Sequence, residues 1–167
     1  YSAYSQVITP CPDALPPIKP EITTEIKVCG ELTTGDGLKN LPKCVEVEIC
    51  QTANKASYNS QLAALGLLGD WSTYFLYTQA SFKDSLSGNL NYCLPPKSQV
   101  TITDTATEYK HCAKFIIPDD WEAMTYYYFV EYLFTYPEET QILSFANSIG
   151  ISDVYNDLPK PIPEIVC

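Results

Sequence analysis

The chain has 167 residues, 46% of them hydrophobic, and its 13 Tyr, 6 Phe and 2 Trp supply the bulk for one real core, which excludes disorder except at the ends. Twenty acids against ten lysines, with no arginine, give a net charge of −10; such a surface repels phosphate and excludes nucleic acid and anionic membrane as partners, and no apolar run is long enough to insert across a bilayer. Seven cysteines, at 11, 29, 44, 50, 93, 112 and 167, lack the Cys-x-x-Cys spacing of a zinc site, and His111 alone cannot supply a His-based one.

Disulfides in an oxidising compartment account for the cysteines, and their odd number leaves at least one thiol free or paired outside the chain. A chain opening at Tyr1 rather than Met is what signal removal would leave. The expectation is a secreted, extracellular protein of one domain over 1–167.

In chain order, residues 1–20 carry five prolines and Cys11 and suit an extended lead-in. From Glu25 onward, short runs rich in Val, Ile, Thr, Tyr and Phe alternate with turn residues, an all-β rhythm. The clearest is Cys44 to Cys50, where Val45, Val47 and Ile49 fall on one face and Glu46 and Glu48 on the other. The other predicted strands are Ile26 to Leu32, Ala56 to Leu62, Trp71 to Tyr77, Leu90 to Leu94, Val100 to Thr105, Tyr109 to Ile117 and Thr125 to Phe134, which makes eight. Pro137-Glu138-Glu139-Thr140 then opens a helix predicted over 137–150, with Ile142, Leu143, Phe145 and Ala146 as its apolar stripe and Gly150 as its stop. The tail 158–167 is Pro-rich and reads as an extended segment stapled by its terminal Cys.

Eight strands, one C-terminal helix and a tail Cys resemble the lipocalins. Cys11-Pro12-Asp13, Pro42-Lys43-Cys44, Asn54-Lys55-Ala56-Ser57-Tyr58-Asn59-Ser60, Thr107-Glu108-Tyr109-Lys110 and Pro137-Glu138-Glu139-Thr140 are similar to motifs of the insect bilin-binding, insecticyanin-like branch. The departures are the first-strand Gly-x-Trp, which falls on Lys27-Val28-Cys29, and its Arg partner, replaced near Thr135; Gly69-Asp70-Trp71 lies too close to Thr107 to stand in and is read as fourth-strand. The resemblance implies an eight-stranded antiparallel up-and-down lipocalin-like barrel with one C-terminal helix, a bridge from Cys44 to Cys167, and a second bridge from Cys11, for which Cys112 is the nearest thiol.

In such a barrel every second residue points inward, which selects Val45, Val47, Ile49, Tyr58, Leu90, Tyr92, Phe115, Phe129 and Leu133 as ligand-lining candidates, with ordinary packed core as the competing role. Tyr126-Tyr127-Tyr128, Tyr132 and Tyr136 suit a flat conjugated molecule with polar ends, or are simply good strand formers. The implied function is a carrier of a small hydrophobic ligand, first a pigment such as biliverdin or another bilin held non-covalently, next a carotenoid, then a retinoid or fatty acid; Cys29 is the site for a thioether if the pigment is covalent. The competing function is a secreted structural or interaction protein with a filled barrel, acting through its acidic, Tyr-rich surface; a homo-oligomer fits either.

Enzyme chemistry is not expected. Adjacent strand residues His111 and Cys112 point to opposite faces, and Asp119-Asp120 and Glu138-Glu139 read as a turn and a helix start.

Overall fold

The structure, a computed structural model, describes residues 18–33, 41–83, 91–122 and 124–135, and the backbone alone of the strand Ile142–Ile151 and of residues 91–92. Its elements are β1 (Glu21–Val28), β2 (Glu31–Leu32), β3 (Glu46–Asn54), α1 (Lys55–Ala64), α2 (Trp71–Tyr74), β4 (Phe75–Lys83), β5 (Asn91–Tyr92), β6 (Gln99–Asp104), β7 (Glu108–Ile116), β8 (Tyr126–Thr135) and β9 (Ile142–Ile151). All strand pairs are antiparallel, and they fall into two sheets, β2-β1-β3-β7-β6 and β5-β4-β8-β9.

The all-β, antiparallel expectation therefore holds, but no ladder joins the two sheets among the described residues. The order β1-β3-β7-β6 against β5-β4-β8-β9 is the Greek-key connectivity of immunoglobulin-type sandwiches rather than a sequential meander. No described helix is long and apolar enough to cross a membrane.

Alternation builds the first sheet. Val47, Ile49, Gln51 and Ala53 of β3 are fully buried, and their neighbours in register on β7 are Phe115, Ala113, His111 and Tyr109. The other face carries the charges: Lys27 and Lys114 flank Glu48 at 3.8 and 3.7 Å, and Lys110 lies 3.8 Å from Glu25. Between β1 and β2 only Cys29 and Gly30 intervene, with φ of 51° and 81°, the pair of positive values that a type I′ hairpin turn demands.

The second sheet presents Tyr126, Tyr128, Val130, Tyr132 and Phe134 of β8 and Phe82 of β4, and rings from the two sheets meet at both ends. At one end Phe75 lies 4.6 Å from Tyr109, and Trp71 meets both Tyr109 at 5.8 Å and Phe134 at 5.2 Å. At the other Phe82 meets Phe115 at 5.1 Å, edge to face. Burial of this size stabilises by about 25 cal/mol for each Å² of apolar surface removed from water, and the edge-to-face geometry adds to it.

Four predicted elements are corrected. Ile26 to Leu32 is not one strand: the Cys29-Gly30 turn divides it between the end of β1 and β2, which pair with each other. Ala56 to Leu62 is not a strand but part of α1: Asn54 accepts a hydrogen bond from the Ser57 amide at 3.1 Å as N-cap, the helix has no β-branched residue, Tyr58 and Leu62 bury its one apolar side, and Gly66 follows at φ 69°. Trp71 to Tyr77 begins as α2, because Asp70 and Thr73 form a reciprocal cap (Thr73 N to Asp70 Oδ1 3.3 Å, Asp70 N to Thr73 Oγ1 3.1 Å) before β4 starts. Most of the helix predicted over 137–150 is instead β9, which pairs with β8 from Ile142↔Thr135 to Ile151↔Tyr126; residues 137–141, like the 158–167 tail and residues 1–17, lie outside the described residues.

Candidate functional site

Two places in the sandwich gather chemistry. The first is its middle, between the aromatic ends. Gln51 and His111 are Cα partners, 0% and 2% exposed, both aimed at the second sheet. The Tyr132 hydroxyl donates across to Gln51 Oε1 at 3.4 Å, and Thr78 Oγ1 lies 3.1 Å from the Tyr109 hydroxyl. Gln51 Nε2, His111 Nδ1 and the Tyr128 hydroxyl are buried with no hydrogen-bond partner among the described residues.

Such groups carry a desolvation penalty, and it shifts their titration. Burial pushes the Tyr128 and Tyr132 phenols well above the ordinary tyrosine range, each reinforced by a neighbouring phenol, and Tyr109 is raised by burial as well. Burial holds His111 below the ordinary imidazole value. At neutral pH these central polar groups are uncharged.

The second place is one end of the sandwich. The registers Val28↔Val47↔Phe115, Gln99↔Lys114 and Lys83↔Tyr127 bring the end of β1, the starts of β3, β6 and β8 and the ends of β4 and β7 together there. Cys93-Leu94-Pro95-Pro96, between β5 and β6, and Pro118-Asp119-Asp120-Trp121, between β7 and β8, line an open cleft of about 600 Å³. Its floor is fixed: the Trp121 ring stacks on Tyr126 at 4.1 Å and meets Phe82 edge-on at 5.0 Å, and Lys43 Nζ donates to the Asp119 carbonyl. Beyond Pro96 a smaller cleft of about 300 Å³ runs past Glu46, Lys97 and Lys114.

The cysteines pair differently from the expectation. Cys50 and Cys112, opposite one another on β3 and β7, form a disulfide on the outer face of the first sheet. Cys112 is therefore not joined to Cys11, which lies outside the described residues, as does Cys167. Cys44, expected to reach Cys167, is a free, exposed thiol, and so is Cys93. Cys29, the suggested thioether site, is itself disulfide-bonded. His111 points inward and Cys112 outward, so the two cannot act as a nucleophile and base.

The ligand-lining candidates separate likewise. Val45, Val47, Ile49 and Phe115 are buried on the inner face of the first sheet, and Tyr58 is buried on α1, stacked on Phe134 at 4.6 Å. Phe129 and Leu133 point the other way from their sheet, opposite in parity to Tyr128 and Tyr132; the Lys83 ammonium covers the Phe129 ring at 4.7 Å. Leu90 lies outside the described residues, and of Tyr92 only the pairing with Phe82 is described. Tyr126, Tyr128 and Tyr132 face inward, Tyr127 outward, and Tyr136 is outside the described residues.

Sequence reasoning missed Gln51, although it continues the inner-face series Val45, Val47, Ile49, where a polar residue is the anomaly. It took Asp119-Asp120 as a turn, without the neighbouring Trp121 that makes the turn a wall. Among the described residues no group of three or more His, Cys, Asp or Glu could hold a metal ion. Comparison with family models, with curated proteins and with solved structures finds no match to this chain.

Proposed function

We propose that the chain is an extracellular, non-enzymatic recognition module that works through the cleft-bearing end of a filled β-sandwich. The observation that carries this reading is the cleft itself: its volume is that of a small-ligand or side-chain site, while the interior beside it is occupied by interlocked rings. Trp121 and three prolines offer apolar walls, and Asp119 and Asp120, exposed at the rim, offer negative charge. That chemistry suits an ammonium or guanidinium on an apolar stem, as on a lysine or arginine of a partner, and the net charge of −10 attracts such a partner from a distance. The Cys50–Cys112 disulfide supports the extracellular placement.

Trp71 is buried and Trp121 half-buried, so quenching of the intrinsic fluorescence reads the cleft. Titration with phenethylammonium is expected to quench saturably and in a salt-sensitive way, and the double variant Asp119→Asn, Asp120→Asn to weaken binding about tenfold or more. Equal quenching by benzyl alcohol, or none by the amine, would remove the reading.

The alternative is the lipocalin-type carrier of a bilin, carotenoid, retinoid or fatty acid. Its ligand would lie against Val47, Ile49 and Phe115, which are fully or almost fully buried against the other sheet, so loading requires the sheets to part. A visible absorption band and a mass excess in protein from its natural source would favour it over the filled sandwich.

A further inference from the structure

We propose that His111 is an acid-sensitive lock between the two sheets, closing the sandwich while neutral and loosening it locally when it takes up a proton. The inference is independent of the cleft and of what the cleft binds.

His111 is the chain's one histidine, and it sits at the centre of the sandwich rather than at an edge. On its own strand the inner-face neighbours are Tyr109 and Ala113; in register beside it lie Gln51 on β3 and Ile102 on β6, with Thr24 of β1 beyond Gln51. The opposing strands bring Tyr128, Val130 and Tyr132 on β8 and Thr78 and Ala80 on β4. Phenols are the titratable groups in this set, and burial keeps them neutral. The carboxylate sharing the inner face, Asp104 at the end of β6, is held by Lys55.

A neutral imidazole is tolerated in such surroundings, although its Nδ1 lacks a partner among the described residues. An imidazolium would be a buried charge with no described carboxylate facing it. Burial places the folded pKa below the ordinary value, so the unfolded chain takes up the proton first. The contribution to stability is complete above the unfolded pKa of about 6.5 and is lost as pH falls below it, by up to about tenfold in the unfolding equilibrium constant per pH unit. Carboxylates titrate about two units lower, which leaves the histidine as the side chain that titrates between about pH 5.5 and 7.5, and the variant carries the same terminal amine as the wild type.

The test is urea unfolding of the full chain between pH 7.5 and 5.5, wild type against His111→Gln. The wild-type unfolding constant is expected to rise by up to about tenfold across this window, and that of the variant to stay within about twofold. In parallel, the single imidazole Cε1–H resonance of folded wild type is followed by NMR, where it is expected to keep its neutral shift well below pH 6.5. A resonance that titrates near pH 6.5 in the folded chain, or a variant with the same acid dependence as wild type, would overturn the proposal. If the variant does not fold, the wild-type resonance decides.

Discussion

Tyr128 and Tyr132 occupy the same face of the same strand, and their hydroxyls meet different surroundings. Tyr132 donates to Gln51 at 3.4 Å, whereas the Tyr128 hydroxyl is buried without a described partner. Removing an unpaired buried hydroxyl recovers its desolvation penalty, while removing a paired one also leaves the other member stranded. Tyr128→Phe is therefore expected to be neutral or stabilising by up to about 1 kcal/mol, and Tyr132→Phe to destabilise by about 1–2 kcal/mol, both read by urea unfolding. A loss in Tyr128→Phe as large as in Tyr132→Phe would show that the Tyr128 hydroxyl has a partner after all.

At the scale of elements, the segment between β3 and β4 is held to the sandwich by the burial of Tyr58, Leu62, Trp71 and Tyr74, and its caps fix where the two helices begin. Gly69 has φ +99°, and a Cβ there would lie 2.9 Å from Thr73 Oγ1, the group that closes the α2 cap. Gly69→Ala is expected to cost about 1–3 kcal/mol and to lower the thermal midpoint, with the sheets unchanged by circular dichroism. In the first sheet β3 and β7 were legible because Glu46, Glu48, Lys110 and Lys114 mark their outer face, whereas β1 and β2 were merged into one strand because Cys29-Gly30 lies inside an apolar run. In β8 nearly every residue is apolar or aromatic and only Glu131 marks the outer face, so Phe129 and Leu133 were assigned to the wrong side. The run at 142–151 carries both periods: Ile142, Leu143, Phe145 and Ala146 suit a helix, whereas Leu143, Phe145, Ile149 and Ile151 alternate as a strand; pairing with β8 selected the second. For 56–62 the all-β rhythm of the chain prevailed over local signals, the Asn54 cap and Gly66, that point to a helix. The cleft was illegible because it joins residues 93–96 to 118–121 through strand order, which alternation does not encode.

For the whole molecule, crossing from one sheet to the other is what turns an all-β sequence into a sandwich: β3 to β4, β5 to β6 and β7 to β8 each change sheet. Apolar residues that a barrel would use as a ligand wall become the contact between layers, and the concave surface moves to the end where the β5-to-β6 and β7-to-β8 crossings meet. The disulfide between β3 and β7 has a further result for the chain as a covalent object. Its partners are separated by 62 residues, and that span includes α1, α2, β4 and the cleft's Cys93-to-Pro96 wall. A protease cutting once at the exposed Leu68 would leave two fragments tied through cystine. The nicked protein should run as one 18.7 kDa species on a non-reducing gel and as two bands after reduction, so a cut in this exposed connection leaves both halves covalently joined.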